Sequence, residues 1–175
     1  MTTATPSPAA SPSPSSGSPA LHWQTELFAT RRRSGEHPGR GWDAPVYAGI
    51  DDQLEDSRSR LSRVSARTAY QEVVHGRAVI VDIRPQFQRE RDGVVDASLA
   101  PLQVERNHLE WRFDPRHEAR LPIAAFDLRV IVVCEEGYTS SLAADALVRL
   151  GVHRATDVVG GFAAWAAAGL PVAPT

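Results

Sequence analysis

The sequence predicts an α/β domain built on a parallel sheet with helices on its faces. Short continuous runs of apolar, largely β-branched residues, "AVIVDI" (Ala78 to Ile83), "LRVIVV" (Leu128 to Val133) and "ATDVV" (Ala155 to Val159), have the length and composition of strands covered on both faces. Between them stand segments with helical spacing of apolar residues, closed by glycine. Parallel neighbours cannot be joined by a hairpin, so each needs a crossover connection, and this alternation supplies it.

The chain divides at about residue 60. Met1 to Ala20 is Pro/Ser/Ala low complexity, too poor in large apolar groups to offset the entropy of ordering. Leu21 to about Arg60 mixes Trp23, Phe28, Trp42 and Tyr47 with Arg31-Arg32-Arg33 and "GEHPGRGW", and sustains neither period. The arginine triplet reads as a solvated charge run. The expectation is a disordered or loosely ordered extension over 1–60 and a folded domain over 61–175.

Ser65 then caps a helix in which Ala69, Tyr70, Val73 and Val74 share one face and which Gly76 can end. Pro85 stops the strand that follows. "ERDGVVDASLAPL" reads as a turn at Asp92-Gly93 and a short strand near Ser98 to Ala100, and Val104 to Trp111 as helical, broken before Pro115. Past the strand ending at Cys134, Leu142, Ala143, Ala146, Leu147 and Leu150 mark an amphipathic helix closed by Gly151. A strand, Gly160-Gly161 and a last helix with Phe162 and Trp165 complete the domain, those two aromatics reading as core.

Bulk properties narrow the function. The 175 residues are 42% hydrophobic and 23% charged, with net charge −2. Every basic residue that carries a fixed charge is arginine, so nucleic acid is not an expected partner. No apolar run approaches the ~18 residues of a spanning helix, and no membrane partner is expected. The start lacks the basic and apolar regions of a secretory signal; its Ser-rich, acid-poor character leaves a plastid-type transit peptide as the lesser reading. A single cysteine cannot form an internal disulfide, which points to a cytoplasmic protein. The six histidines show no ligand spacing, so no metal is expected.

That cysteine, Cys134, sits where a buried strand meets a helix, at the carboxyl edge of the sheet where ligands bind in such folds. In a tight strand-loop-helix turn, successive amides and the helix N-terminus favour an anion, here a thiolate, a persulfide or a donor's oxyanion. Gly137 lets the chain bend close to the sulfur, and Thr139, Ser140 and Ser141 offer hydroxyls to it or to the helix end. A buried, inert cysteine is the competing reading.

The stretch "VVCEEGYTSSLAADALVRLGVHRATDVVGGFAAWAAAGLPV" resembles the C-terminal half of a single-domain rhodanese, of the sulfurtransferase family. The matching features are the loop cysteine, the glycine three positions on, and the pattern Gly-Gly-Phe-x-x-Trp-x-x-x-Gly-x-Pro at Gly160 to Pro171. "VIVDIRP" resembles the family's Asp-x-Arg strand end at Asp82 and Arg84. The resemblance, over about Leu61 to Val172, implies a three-layer α/β/α fold on a five-stranded parallel sheet. It implies Cys134 as the catalytic carrier of sulfane sulfur, a substrate-binding loop of Glu135, Glu136, Gly137, Tyr138, Thr139 and Ser140, and no cofactor. Expected partners are a small-molecule sulfur donor, of thiosulfate or persulfide type, and a thiol or cyanide acceptor, protein thiols included; the expected state is a monomer.

Asp82 and Arg84 are supporting residues, read as a bracing ion pair, and Trp111 and Arg112 are candidates for the pocket mouth. Two departures stand out. Glu135 and Glu136 occupy loop positions often basic in thiosulfate-using rhodaneses, which predicts poor use of that dianion. "DGVVDAS" replaces the family's Gly-His-Ile-Pro-Gly-Ala. Phosphatases of related fold need an arginine where Ser140 stands, so phosphoryl chemistry is disfavoured. A binding, regulatory or redox-sensing module remains the alternative to the enzyme.

Overall fold

Val79–Asp82 (β1) and Val130–Val133 (β4) lie side by side in parallel at the centre of the sheet, in a computed structural model that describes residues 46–175. The low-complexity start, Trp23, Phe28, Trp42 and the Arg31-Arg32-Arg33 run lie outside the described residues. Leu102–Gln103 (β3) flanks β1 and Thr156–Asp157 (β5) flanks β4, giving the order β3-β1-β4-β5 with every pairing parallel. The fifth position is held by one parallel bridge, Val64 opposite Val158, because Ser65 turns the chain at once into a helix. Val94–Val95 (β2) pairs antiparallel with Val172–Ala173 (β6) as a separate ribbon.

Strand alternation divides the core between the two faces of the sheet. Val81, Ile83, Val130 and Val132 pack against helices Leu109–Phe113 (α4) and Thr139–Leu150 (α5). Ile80, Ile131 and Val133 pack on the other side against Ala66–Val74 (α2) and Gly161–Ala167 (α6). These are the three layers. Ser65 caps α2 through its hydroxyl, which accepts from the Thr68 amide, and Gly151 ends α5 in the left-handed region.

Two expectations are corrected. Ile50–Ser59 is a helix (α1) packed on α5 through buried Leu54 and Ser57, so Val46 to Arg60, the end of the expected loose extension, belong to the folded unit. The pattern was hidden because polar anchors hold it: the Ser57 hydroxyl donates to Asp145 (3.2 Å) and Arg60 Nε to the same carboxylate (2.6 Å). The strand expected near Ser98 to Ala100 is a turn of 3₁₀ helix, Ala97–Leu99, because Asp96 captures the Ser98 amide at 2.9 Å. A helix of mostly charged residues, Gln86–Asp92 (α3), for which no element was expected, runs up to the expected turn at Asp92-Gly93, with Arg89 its one buried side chain. The helical stretch after β3 opens with 3₁₀ residues Arg106–His108 before α4.

Candidate active site

β4 delivers Cys134 to the carboxyl edge of the sheet, with 8% of the residue exposed. The amides of Gly137 and Ser140 donate to its Sγ from 3.3 and 3.2 Å, and the Ser140 hydroxyl lies 3.2 Å away. Two glycines make this loop possible. Gly137 has φ +78°, and a Cβ there would lie 2.8 Å from Gly160 N and 2.9 Å from Val158 O. A Cβ on Gly161 would come within 2.6 Å of Glu135 O.

That second approach lets the start of α6 bond the loop from behind: Phe162 N donates to Cys134 O (2.8 Å) and Ala163 N to Glu135 O (3.0 Å). The loop is held from the other side by guanidinium groups. Arg58 and Arg63 both donate to Gly137 O, at 2.8 and 3.1 Å, and Arg63 also forks onto the fully buried carboxylate of Asp157 at 2.7 and 3.0 Å. Asp157 Oδ2 further accepts from the hydroxyls of Ser140 (3.0 Å) and Ser141 (2.8 Å).

Asp82 and Arg84 form a buried pair, Nη2 to Oδ2 at 2.7 Å. The guanidinium also donates to Gly93 O at 2.8 Å, meets Glu135 Oε2 at 3.1 Å and lies 3.7 Å over the Phe162 ring. Burial opposes its charge, but the Asp82 and Glu135 carboxylates outweigh that and raise its pKa above the ordinary arginine value.

A pocket of about 240 Å³ opens in front of the sulfur. Its walls bring together Cys134, Glu135, Glu136, Tyr138 and Thr139 with Arg84, while Gly137 and Ser140 lie behind the sulfur and bond it there. Glu136, Tyr138 and Thr139 are exposed, and Arg58 lies 5.5 Å over the Tyr138 ring. Trp111 and Arg112 are not in these walls; Arg112 lines a different concavity with His108 and Leu121.

Gln88 and Arg106, which do line the pocket, went unread, as did Arg58, Arg63 and Asp157 behind the loop. The one local signal was a carboxylate inside the apolar run "ATDVV". A wider concavity of about 470 Å³, lined by Arg77, Arg129 and Arg154 ahead of β1, β4 and β5, lies at the amino edge of the sheet and contains no cysteine. Among the described residues no three His, Cys, Asp or Glu side chains are grouped to hold a metal, and no helix is long and apolar enough to cross a membrane.

The family model of the rhodanese-like domain matches residues 65–168, more than half of the chain. A Rhodopseudomonas palustris protein of unknown function, described as a possible tyrosine phosphatase, is 30% identical with a TM-score of 0.65, over 76% of this chain and 100% of that one. A polysulfide-sulfur transferase homodimer from Wolinella succinogenes is 20% identical with a TM-score of 0.57, over 69% of this chain and 84% of that one. A thiosulfate sulfurtransferase from Pseudomonas aeruginosa is 18% identical with a TM-score of 0.51, over 65% of this chain and 19% of that one. At these identities the last two share the fold.

Proposed function

This chain belongs to the rhodanese-like domain family, and on that premise we propose that it is a sulfurtransferase in which Cys134 carries sulfane sulfur from a persulfide-type donor to a thiol. The observation that carries the reading is the pair of backbone amides on Sγ at the floor of an open pocket. Donors of this kind favour an anionic sulfur, which is the nucleophilic form.

The Cys134 thiolate attacks the outer sulfur of R–S–SH; the Sγ–S bond forms as the donor's S–S bond breaks, leaving Cys134–S–SH and R–S⁻. An acceptor thiolate R′–S⁻ then attacks that outer sulfur, giving R′–S–SH and the regenerated thiolate. No electrons are left over, and no metal or organic cofactor takes part in either step. The amides of Glu136, Tyr138 and Thr139 donate to no group among the described residues and are suited to receive the outer sulfur.

Phosphoryl transfer, suggested by the description of the Rhodopseudomonas palustris protein, fits this chain poorly. Its loop, Glu135 to Ser140, contains no arginine, and the position that would grip a phosphoryl group is Ser140, turned toward a buried carboxylate. A binding or redox-sensing module is the second reading, favoured by the small exposure of Cys134.

Intact mass after incubation with glutathione persulfide or thiosulfate decides between them. The wild-type protein gains one sulfur atom and Cys134→Ser gains none. No gain with any donor puts the binding module ahead.

A further inference from the structure

The Ser140 hydroxyl has one proton and two competing neighbours: Asp157 Oδ2 at 3.0 Å and Cys134 Sγ at 3.2 Å. We propose that Asp157 is a positioning residue that controls the reactivity of Cys134 through this hydroxyl, drawing it away from the neutral thiol and releasing it to the thiolate. The proposal rests on the reading of Cys134 as the nucleophile, and on geometry that a sulfur carrier does not by itself require.

The hydrogen-bond inventory closes in both states. With a neutral thiol, S–H donates to Ser140 Oγ while Ser140 O–H donates to Asp157, so each polar group has a partner. When the thiol proton passes to a solvent base, the hydroxyl rotates and donates to the thiolate, joining the Gly137 and Ser140 amides as a third donor. Asp157 tolerates the loss. Both Arg63 bonds and the Ser141 hydroxyl stay on it, so the buried carboxylate is never left bare.

The carboxylate cannot follow the hydroxyl, because Arg63 clamps it in a fork. It therefore sets a fixed competitor for one proton.

The charged and titratable groups facing the sulfur are otherwise Arg84, Arg106, Glu135, Glu136 and Tyr138 in the pocket walls. Arg58 and Arg63 stand behind the loop. The pocket-wall groups are unchanged in the variants below, and Arg63 loses one arm of its fork in Asp157→Asn.

The test is the rate of Cys134 alkylation by iodoacetamide as a function of pH, which needs no sulfur transfer. In Asp157→Asn the competing charge is gone, so the Ser140 hydroxyl is held less firmly and turns to the sulfur. The midpoint moves down by about one pH unit, with about tenfold faster alkylation on the acid limb. In Ser140→Ala the midpoint moves up. Asp157→Asn made in the Ser140→Ala background then shifts it by less than half as much.

Equal Asp157→Asn shifts in the two backgrounds would make Asp157 a distant charge only and overturn the proposal, as would an unmoved midpoint in a folded Asp157→Asn protein. If Asp157→Asn does not fold, the comparison of Ser140→Ala with Ser141→Ala decides. Both remove a hydroxyl from Asp157, but only Ser140 touches the sulfur, so an equal shift in the two rejects the relay. Sulfur loading measured by mass on the same samples separates outcomes: loading without these shifts rejects the relay alone, and these shifts without loading reject the transferase alone.

Discussion

Glu135 Oε2 lies 3.1 Å from Arg84 Nη1, across a gap of 51 residues, while its neighbour Glu136 is exposed. The two acids of the loop are therefore electrostatically unequal: the charge of Glu135 is partnered by a buried guanidinium, and that of Glu136 is exposed in the pocket wall. Thiosulfate entry should respond to the second more than to the first. Replacing Glu136 with Gln is expected to raise kcat/KM for thiosulfate about fivefold at low ionic strength, the worth of roughly 1 kcal/mol between charges near 4 Å in water. Steady-state kinetics at two salt concentrations check this, the gain shrinking as salt screens it. Glu135→Gln gains less, since it also strips a partner from Arg84.

Arg84 is the hub under the loop. Its guanidinium bonds Asp82, Glu135 and Gly93 O and lies over Phe162, with none of its side chain exposed. Arg84→Met leaves the Asp82 carboxylate buried and unpaired, a loss of about 3 to 5 kcal/mol. Urea unfolding measures it as a lower midpoint. Asp82→Asn with Arg84→Met should recover part of the loss, because the stranded charge is then gone.

Two glycines at similar φ predict different outcomes. Gly76 (φ +65°) has nothing within 4 Å of a built Cβ, so Gly76→Ala carries only the left-handed penalty of about 1 to 2 kcal/mol. Gly137→Ala adds a backbone collision with Gly160 and Val158, and must displace the loop that holds the sulfur. Gly76→Ala should load sulfur like the wild type, whereas Gly137→Ala should lose both stability and loading by mass.

Acid should weaken the docking of α1. Asp145 is held below the ordinary carboxylate range, first by the Arg60 hydrogen bond, and its burial only partly opposes this. A carboxyl depressed in the folded state stabilises it above the unfolded value, near 3.8, and that contribution is lost as pH falls toward the folded value. The wild-type protein should therefore exceed Asp145→Asn in thermal stability at neutral pH, and the gap should narrow below pH 3.8. Thermal unfolding of both proteins across that range checks the sign.

Local pattern determined much of this protein. Continuous β-branched runs placed β1 and β4, the apolar spacing closed by Gly151 placed α5, and the position of Cys134 at a strand end placed the sulfur on the carboxyl edge. Gly137 was legible because it answers a constraint of the backbone beside it, and the Gly-Gly-Phe pattern through its resemblance to the family. Apart from the Asp82–Arg84 pair, whose members stand two residues apart, tertiary closure decided which charges meet in the site. Arg63 finds Asp157 across 94 residues, Arg58 finds Gly137 O across 79, and Ser140 faces Asp157 across 17. Hydrophobic periodicity is repeated every few residues and so is written locally, whereas a buried charge needs one partner, and only the folded chain brings the two ends of that bond to one place.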